Sequence, residues 1–131
     1  MKFNKLEILN LGYNNISNNI GILENVDFKE LKELNLCMNN ISDIKVLEKV
    51  KFNKLEKLDL GSNNISDINI LENVDFKELK VLDLFNNNIS DIKVLEKVKF
   101  NKLEILNLRK NKISNISSII SKLKFKNVIT Y

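Results

Sequence analysis

The chain has 131 residues, 44% of them apolar and 29% charged, which suffices for one compact domain with a core of its own. It has no His, no Trp and no Pro, and its one cysteine, Cys37, has no internal partner, so imidazole catalysis, imidazole metal ligation, internal disulfides and cysteine-rich zinc sites are excluded. The formal charge of +4 gives only a general preference for acidic surfaces, and no stretch reaches the roughly 20 apolar residues needed to cross a bilayer.

Phe3, Phe28, Phe52, Phe76 and Phe100 open near-identical segments at steps of 25, 24, 24 and 24 residues, and Phe125 opens a shorter sixth. Self-similarity at this period reads as a solenoid. The predicted organisation is one domain, 1–131, of five full repeats (3–27, 28–51, 52–75, 76–99 and 100–124) and a partial sixth strand, 125–131. Phe-Asn-Lys-Leu-Glu opens repeats one, three and five and Phe-Lys-Glu-Leu-Lys opens two and four, which points to duplication of a two-repeat block.

Within each unit the predicted elements follow one order. Leu34-Asn35-Leu36-Cys37 alternates with period two, so a strand turns Leu34 and Leu36 to a core and Glu33, Asn35 and Cys37 to the free face. Because a return of constant length follows each strand, successive strands run parallel. Asn14, Asn39, Asn63, Asn87 and Asn111 stand where the chain leaves the strand, where a side-chain amide bonds backbone groups that the turn leaves unpaired. Ser42-Asp43 is a cap-like pair ahead of Ile44, Leu47 and Val50 at helical spacing, so the return is a short helix or helical turn packed on the leucine layer. One Phe per turn forms a second spine, counting six rings as buried.

The unit Phe-x-x-Leu-x-x-Leu-x-Leu-x-x-Asn-x-Ile-Ser-(Asp/Asn)-Ile resembles the leucine-rich repeat family over the whole chain, through the signature Leu-x-x-Leu-x-Leu-x-x-Asn-x-Ile. The resemblance implies an α/β solenoid: a right-handed horseshoe with a parallel sheet on the concave face and short helices or helical turns on the convex face. It also implies a structural asparagine ladder and recognition of a protein on the concave face. The 24-residue unit with Ile-Ser-Asp-Ile is similar to the subclass found in bacterial internalins and in a regulatory subunit of type-one protein phosphatase.

Repeats two and four differ only at Glu33/Val81, Asn35/Asp83, Cys37/Phe85 and Met38/Asn86, all on or beside the free face. A constant scaffold under one changing face suits a binding surface. The candidate partner-binding residues are Ile8, Tyr13, Glu33, Cys37, Met38, Lys57, Asp59, Val81, Asp83, Phe85, Ile105 and Arg109. Several are apolar or aromatic, types unrewarded in water unless a partner covers them. Arg109 either joins that surface or lies over Phe85 as an internal cation–π pair.

Asp59 and Asp83 fall side by side and could act as a catalytic carboxylate pair, but an open, wet face is expected to raise neither pKa, leaving a polar ladder. Cys37 lacks a His partner and is expected to be an inert thiol, its thiolate disfavoured by Glu33. The reading is therefore not an enzyme, with no cofactor and no metal. Scattered lysines and buried Phe form no basic groove, so neither nucleic acid nor a membrane is the expected partner. The first repeat begins at Phe3 without a cap, so a homo-oligomer through its open edge is expected, and a self-assembling structural unit is the alternative function. Asn-Ile-Ser recurs at Asn15, Asn40, Asn64, Asn88 and Asn115 as a by-product of the repeat; with one reduced thiol and no signal-peptide core, a cytoplasmic location is expected.

Overall fold

The computed structural model describes residues 3–125 and 127–129, so Met1, Lys2, Lys126, Thr130 and Tyr131, the last three within the expected sixth strand, lie outside the described residues. Six short strands, β1 (Ile8–Asn10), β2 (Glu33–Asn35), β3 (Lys57–Asp59), β4 (Val81–Asp83), β5 (Ile105–Asn107) and β6 (Asn127–Ile129), form one open sheet in sequence order. Every neighbouring pair is parallel, and the register places Leu9, Leu34, Leu58, Leu82, Leu106 and Val128 in a single row. Period two then sends that row to one side of the sheet and its flanking residues to the other.

The inner side is a continuous core. Leu34, Leu58, Leu82 and Leu106, and the second leucines Leu36, Leu60, Leu84 and Leu108, are buried to within 1% of complete, joined by Ile41, Ile65 and Ile89. The returns are 3-10 helices at Ser17–Asn25, Lys45–Glu48, Asn69–Asn73 and Lys93–Glu96, and the fifth is a five-residue α-helix, α1 (Ile116–Ile120). Ile44 and Leu47 pack inward as expected, Val46 joins them, and Val50 is half-buried. The 25-residue first unit takes up its extra residue in the longest of these returns.

The cap differs from expectation. Asp43 Oδ1 accepts the Lys45 amide at 2.9 Å, and the helix N-cap is Ile44, which makes no side-chain cap bond. Asp67 and Asp91 repeat the arrangement with Asn69 and Lys93, so these carboxylates close a turn ahead of the helix. The phenylalanine spine also needs correction. Ring centroids run Phe3–Phe28–Phe52–Phe76 at 5.9, 6.0 and 6.4 Å, but Phe3 is 44% exposed because it has a ring on one side only.

The rims carry a charge pattern built by the two-repeat alternation. One column reads Lys5, Glu30, Lys54, Glu78, Lys102 and another Glu7, Lys32, Glu56, Lys80, Glu104. Opposite charges therefore meet at successive turns, in the pairs Glu7–Lys32 (3.0 Å), Glu30–Lys54 (2.7 Å), Glu56–Lys80 (2.7 Å) and Glu78–Lys102 (2.6 Å). These pairs are solvent-exposed, so each adds little to stability.

Candidate functional site: the exposed face of the sheet

Residue-for-residue pairing arranges the outward side chains in columns about 4.8 Å apart. The first is Ile8, Glu33, Lys57, Val81 and Ile105, and the second Asn10, Asn35, Asp59, Asp83 and Asn107. Backbone bonds past the strands, such as Tyr13 to Cys37 and Met38 to Gly61, each at 3.0 Å, extend the register. They align a third column, Gly12, Cys37, Gly61, Phe85 and Arg109, and an edge column, Tyr13, Met38, Ser62, Asn86 and Lys110.

The second column is partly structural, which the residue pattern alone does not disclose. In every repeat its Oδ1 accepts the backbone N–H two residues on: Gly12 to Asn10, Cys37 to Asn35 and Gly61 to Asp59 at 2.9 Å, Phe85 to Asp83 at 2.8 Å, and Arg109 to Asn107 at 3.2 Å. An Asn or Asp two residues before a turn is the signal for this Asx closure. Asp83 Oδ2 also accepts Asn107 Nδ2 at 3.1 Å. The edge column is left-handed throughout, with φ of 62° at Tyr13, 53° at Met38, 52° at Ser62, 53° at Asn86 and 54° at Lys110. Neither Gly12 nor Gly61, one residue earlier, has positive φ.

Behind the face runs the asparagine column. Asn63 Oδ1 accepts the amides of Asn39 (3.0 Å) and Ile41 (2.9 Å), while its Nδ2 donates to the carbonyls of Leu36, Leu60 and Gly61. Asn39 and Asn87 are buried and bridge turns in the same way. Asn111 is half-buried and accepts from Ile89, whereas exposed Asn14 donates to Leu11 and Gly12 within its own turn.

The predicted binding residues are brought onto one surface. Ile8 is 61% exposed, Tyr13 76%, Met38 46% and Ile105 37%; Glu33, Lys57 and Arg109 are exposed too, while Val81, Phe85, Asp59, Asp83 and Cys37 are half-buried. The apolar groups fall at its two ends, with the polar third repeat (Lys57, Asp59, Gly61, Ser62) between them. Sequence reasoning missed Ile22, an isolated apolar residue, 68% exposed, on the first return and away from the sheet.

Two details of the site's charge differ from expectation, and a third adds Lys110 to the expected contact of Arg109 with Phe85. Asp59 has its pKa raised, first by burial and then by the neighbouring Asp83, against the lowering bond from Gly61. Asp59 is half-buried, as are Asn35, Asp83 and Asn107 in the same column. The Cys37 thiol is also pushed up, by burial first and by Asp59 and Asp83; Glu33 is not a cause. Over the Phe85 ring, Arg109 Cζ lies 6.0 Å from the centroid and Lys110 Nζ 5.3 Å, so two cations share it.

An open parallel sheet with one short strand per turn, helical returns and a ladder of strand-exit asparagines defines a leucine-rich repeat solenoid. The chain belongs to the leucine-rich repeat family: residues 29–73 and 77–124 match the family described as Leucine Rich repeats (2 copies), and residues 4–23 match a Leucine Rich repeat. It is similar to the crystal structure of internalin C2 from Listeria monocytogenes, with 23% identity and TM-score 0.62, over 98% of this chain and 62% of that one. A second Listeria monocytogenes internalin matches at 27% identity and TM-score 0.64, over 96% of this chain and 43% of its own. The leucine-rich repeat ectodomain of the receptor kinase SOBIR1 from Arabidopsis thaliana matches at 28% and 0.55, over 85% and 59%. The chain thus spans less than two thirds of each of these structures. Comparison with curated protein sequences gives no match. Proteins of this family generally mediate protein–protein interaction. Among the described residues no helix is long and apolar enough to cross a membrane.

Proposed function

We propose that the chain is a non-catalytic scaffold that binds a partner protein through the concave face of its sheet, with residues 1–131 acting as one unit of five full repeats and a partial sixth. The observation that carries this reading is the exposure of Ile8, Tyr13, Met38 and Ile105 on one face of a sheet whose other face is buried almost completely. Large apolar side chains on a rigid, preformed surface are what an interface anchors on. A cytoplasmic site of action fits the unpaired Cys37 thiol. The test is affinity capture with the whole chain. Ile8→Ser with Ile105→Ser should abolish capture of a partner that Ile22→Ser leaves bound, with melting temperatures unchanged; loss with Ile22→Ser alone would reverse the assignment of faces.

A second reading, self-association through the β1 edge, is supported by Leu6, Leu9 and Leu11, which are half-buried where their counterparts are buried. An unpaired strand edge is a template for another chain. A concentration-dependent rise in mass by light scattering, removed by Leu9→Lys, would support it, and a constant monomer mass at high concentration would refute it.

A further inference from the structure

The strand-exit positions of the first four repeats are uncharged: Gly12-Tyr13, Cys37-Met38, Gly61-Ser62 and Phe85-Asn86. The fifth has Arg109-Lys110, and Lys112 follows one residue later; Arg109 is the only arginine in the chain. Both cations converge on the half-buried Phe85 ring at 6.0 and 5.3 Å. Among the described residues nine lysines enter ion pairs, but neither Arg109 nor Lys110 does. Asp83, a carboxylate two residues before Phe85, is turned to other donors, the Phe85 amide and Asn107 Nδ2. Among the described residues, two cations are thus held at the surface by an aromatic face with no anion in an ion pair with either of them.

From this we infer that the exit rim of the fifth repeat receives a segment of the partner protein carrying an acidic side chain, which lodges between Arg109 and Lys110 beside Phe85. The inference rests on the concave-face reading above and names what that face selects. A guanidinium presents a planar fork that fits a carboxylate with two parallel bonds, and stacking on a ring pre-orders it. Four residues before Phe85 and Arg109, Val81 and Ile105 form the apolar part of the face, with Ile105 37% exposed. Past the strands the Leu84 and Asn86 amides still donate to the Asn107 and Arg109 carbonyls, so the chain stays extended, and four such residues span about 13 Å and return to the same side. An extended segment fits best with an acidic and an apolar residue four positions apart, the first on the cations and the second on Val81 and Ile105. Because both cations are exposed, binding weakens as salt rises.

The test uses the whole chain and a phage-displayed library of random dodecapeptides as the probe. Selection on the native protein should enrich sequences with Asp or Glu four positions from Leu, Ile or Phe. Synthetic versions of these peptides should lose at least tenfold in affinity for Arg109→Gln with Lys110→Gln, while an unchanged melting curve shows the fold intact; an Asp→Asn peptide should lose as much. Enrichment without acidic residues, binding that survives the double substitution, or no enrichment overturns the inference. Peptides displaced by Ile8→Ser with Ile105→Ser but lacking acidic residues would leave the concave-face reading standing, whereas peptides sensitive only to Ile22→Ser would remove both.

Discussion

The backbone amide of Asn39 donates to the side-chain Oδ1 of Asn63 at 3.0 Å, across the boundary between one turn of the solenoid and the next. Asn63 also takes the Ile41 amide and gives its own Nδ2 to three carbonyls, all in a buried setting. Asn63→Ala leaves those groups unpaired, and an orphaned buried donor or acceptor costs about 1–3 kcal/mol. The expected loss is about 3–5 kcal/mol by urea unfolding, a large share of the stability of a small domain. Asn14→Ala, at an exposed site bonded within its own turn, should cost less than about 1 kcal/mol. Equal losses at the two positions would contradict the ladder as a stabilising device.

Met38 and Tyr13 hold left-handed backbone with φ of 53° and 62°. That region costs a side-chain-bearing residue about 1–2 kcal/mol that glycine does not incur. Met38→Gly should therefore stabilise the fold by up to about 1 kcal/mol, after the extra chain entropy of glycine is deducted. Gly61→Ala should be tolerated: φ there is not positive, and Cys37, Phe85 and Arg109 fill the same position over the same side-chain bond, so a small shift of Asp59 Oδ1 relieves its 3.1 Å approach to an added Cβ. Thermal melts should show Met38→Gly raised and Gly61→Ala not lowered.

Asp59 gives the fold a pH dependence of its own. Its folded pKa lies above the ordinary carboxylate value, chiefly through burial, so between the two values the folded chain holds more proton than the unfolded. Stability contributed by this group is then full below the ordinary value and is lost as pH rises through the folded one. Asp59→Asn removes the penalty and keeps an oxygen for the Gly61 amide, as Asn35 does for Cys37. The variant should melt higher than the parent at pH 7, and the difference should vanish as pH falls below about 4. A variant less stable at pH 7 would contradict the burial of this charge.

Lys80 stands between Glu56, bonded at 2.7 Å, and Glu104, and both neighbours raise its pKa. Lys80→Glu would put three carboxylates in one column of successive turns. The expected result is a lower melting temperature at low salt, most of it recovered in 1 M salt, where the screening length is about 3 Å. A loss independent of salt would show that Lys80 acts through packing instead of charge.

How far the sequence could be read depended on whether a feature repeats. The burial of Leu34, Leu58, Leu82 and Leu106 and the bonding of Asn39, Asn63 and Asn87 follow from alternation and position, which every turn restates. The left-handed backbone at Tyr13, Met38 and Lys110 was not legible, because none of these residue types favours it and the turn imposes it. Nor was the burial of Asp59, which depends on neighbours from adjacent repeats, or the exposure of Phe3, whose residue type is the same as in the buried rings. The placement of Lys110 over Phe85, nearer than Arg109, is set by a flexible side chain beyond the reach of spacing.

The most direct measurement is photo-crosslinking in the source cell, with a benzophenone amino acid placed singly at Ile8, Ile105 or Ile22 in otherwise native chain. The account predicts that one partner is trapped from both Ile8 and Ile105, at opposite ends of the sheet face, and not from Ile22 on the first return. A partner trapped from Ile22 and from neither sheet position would contradict it.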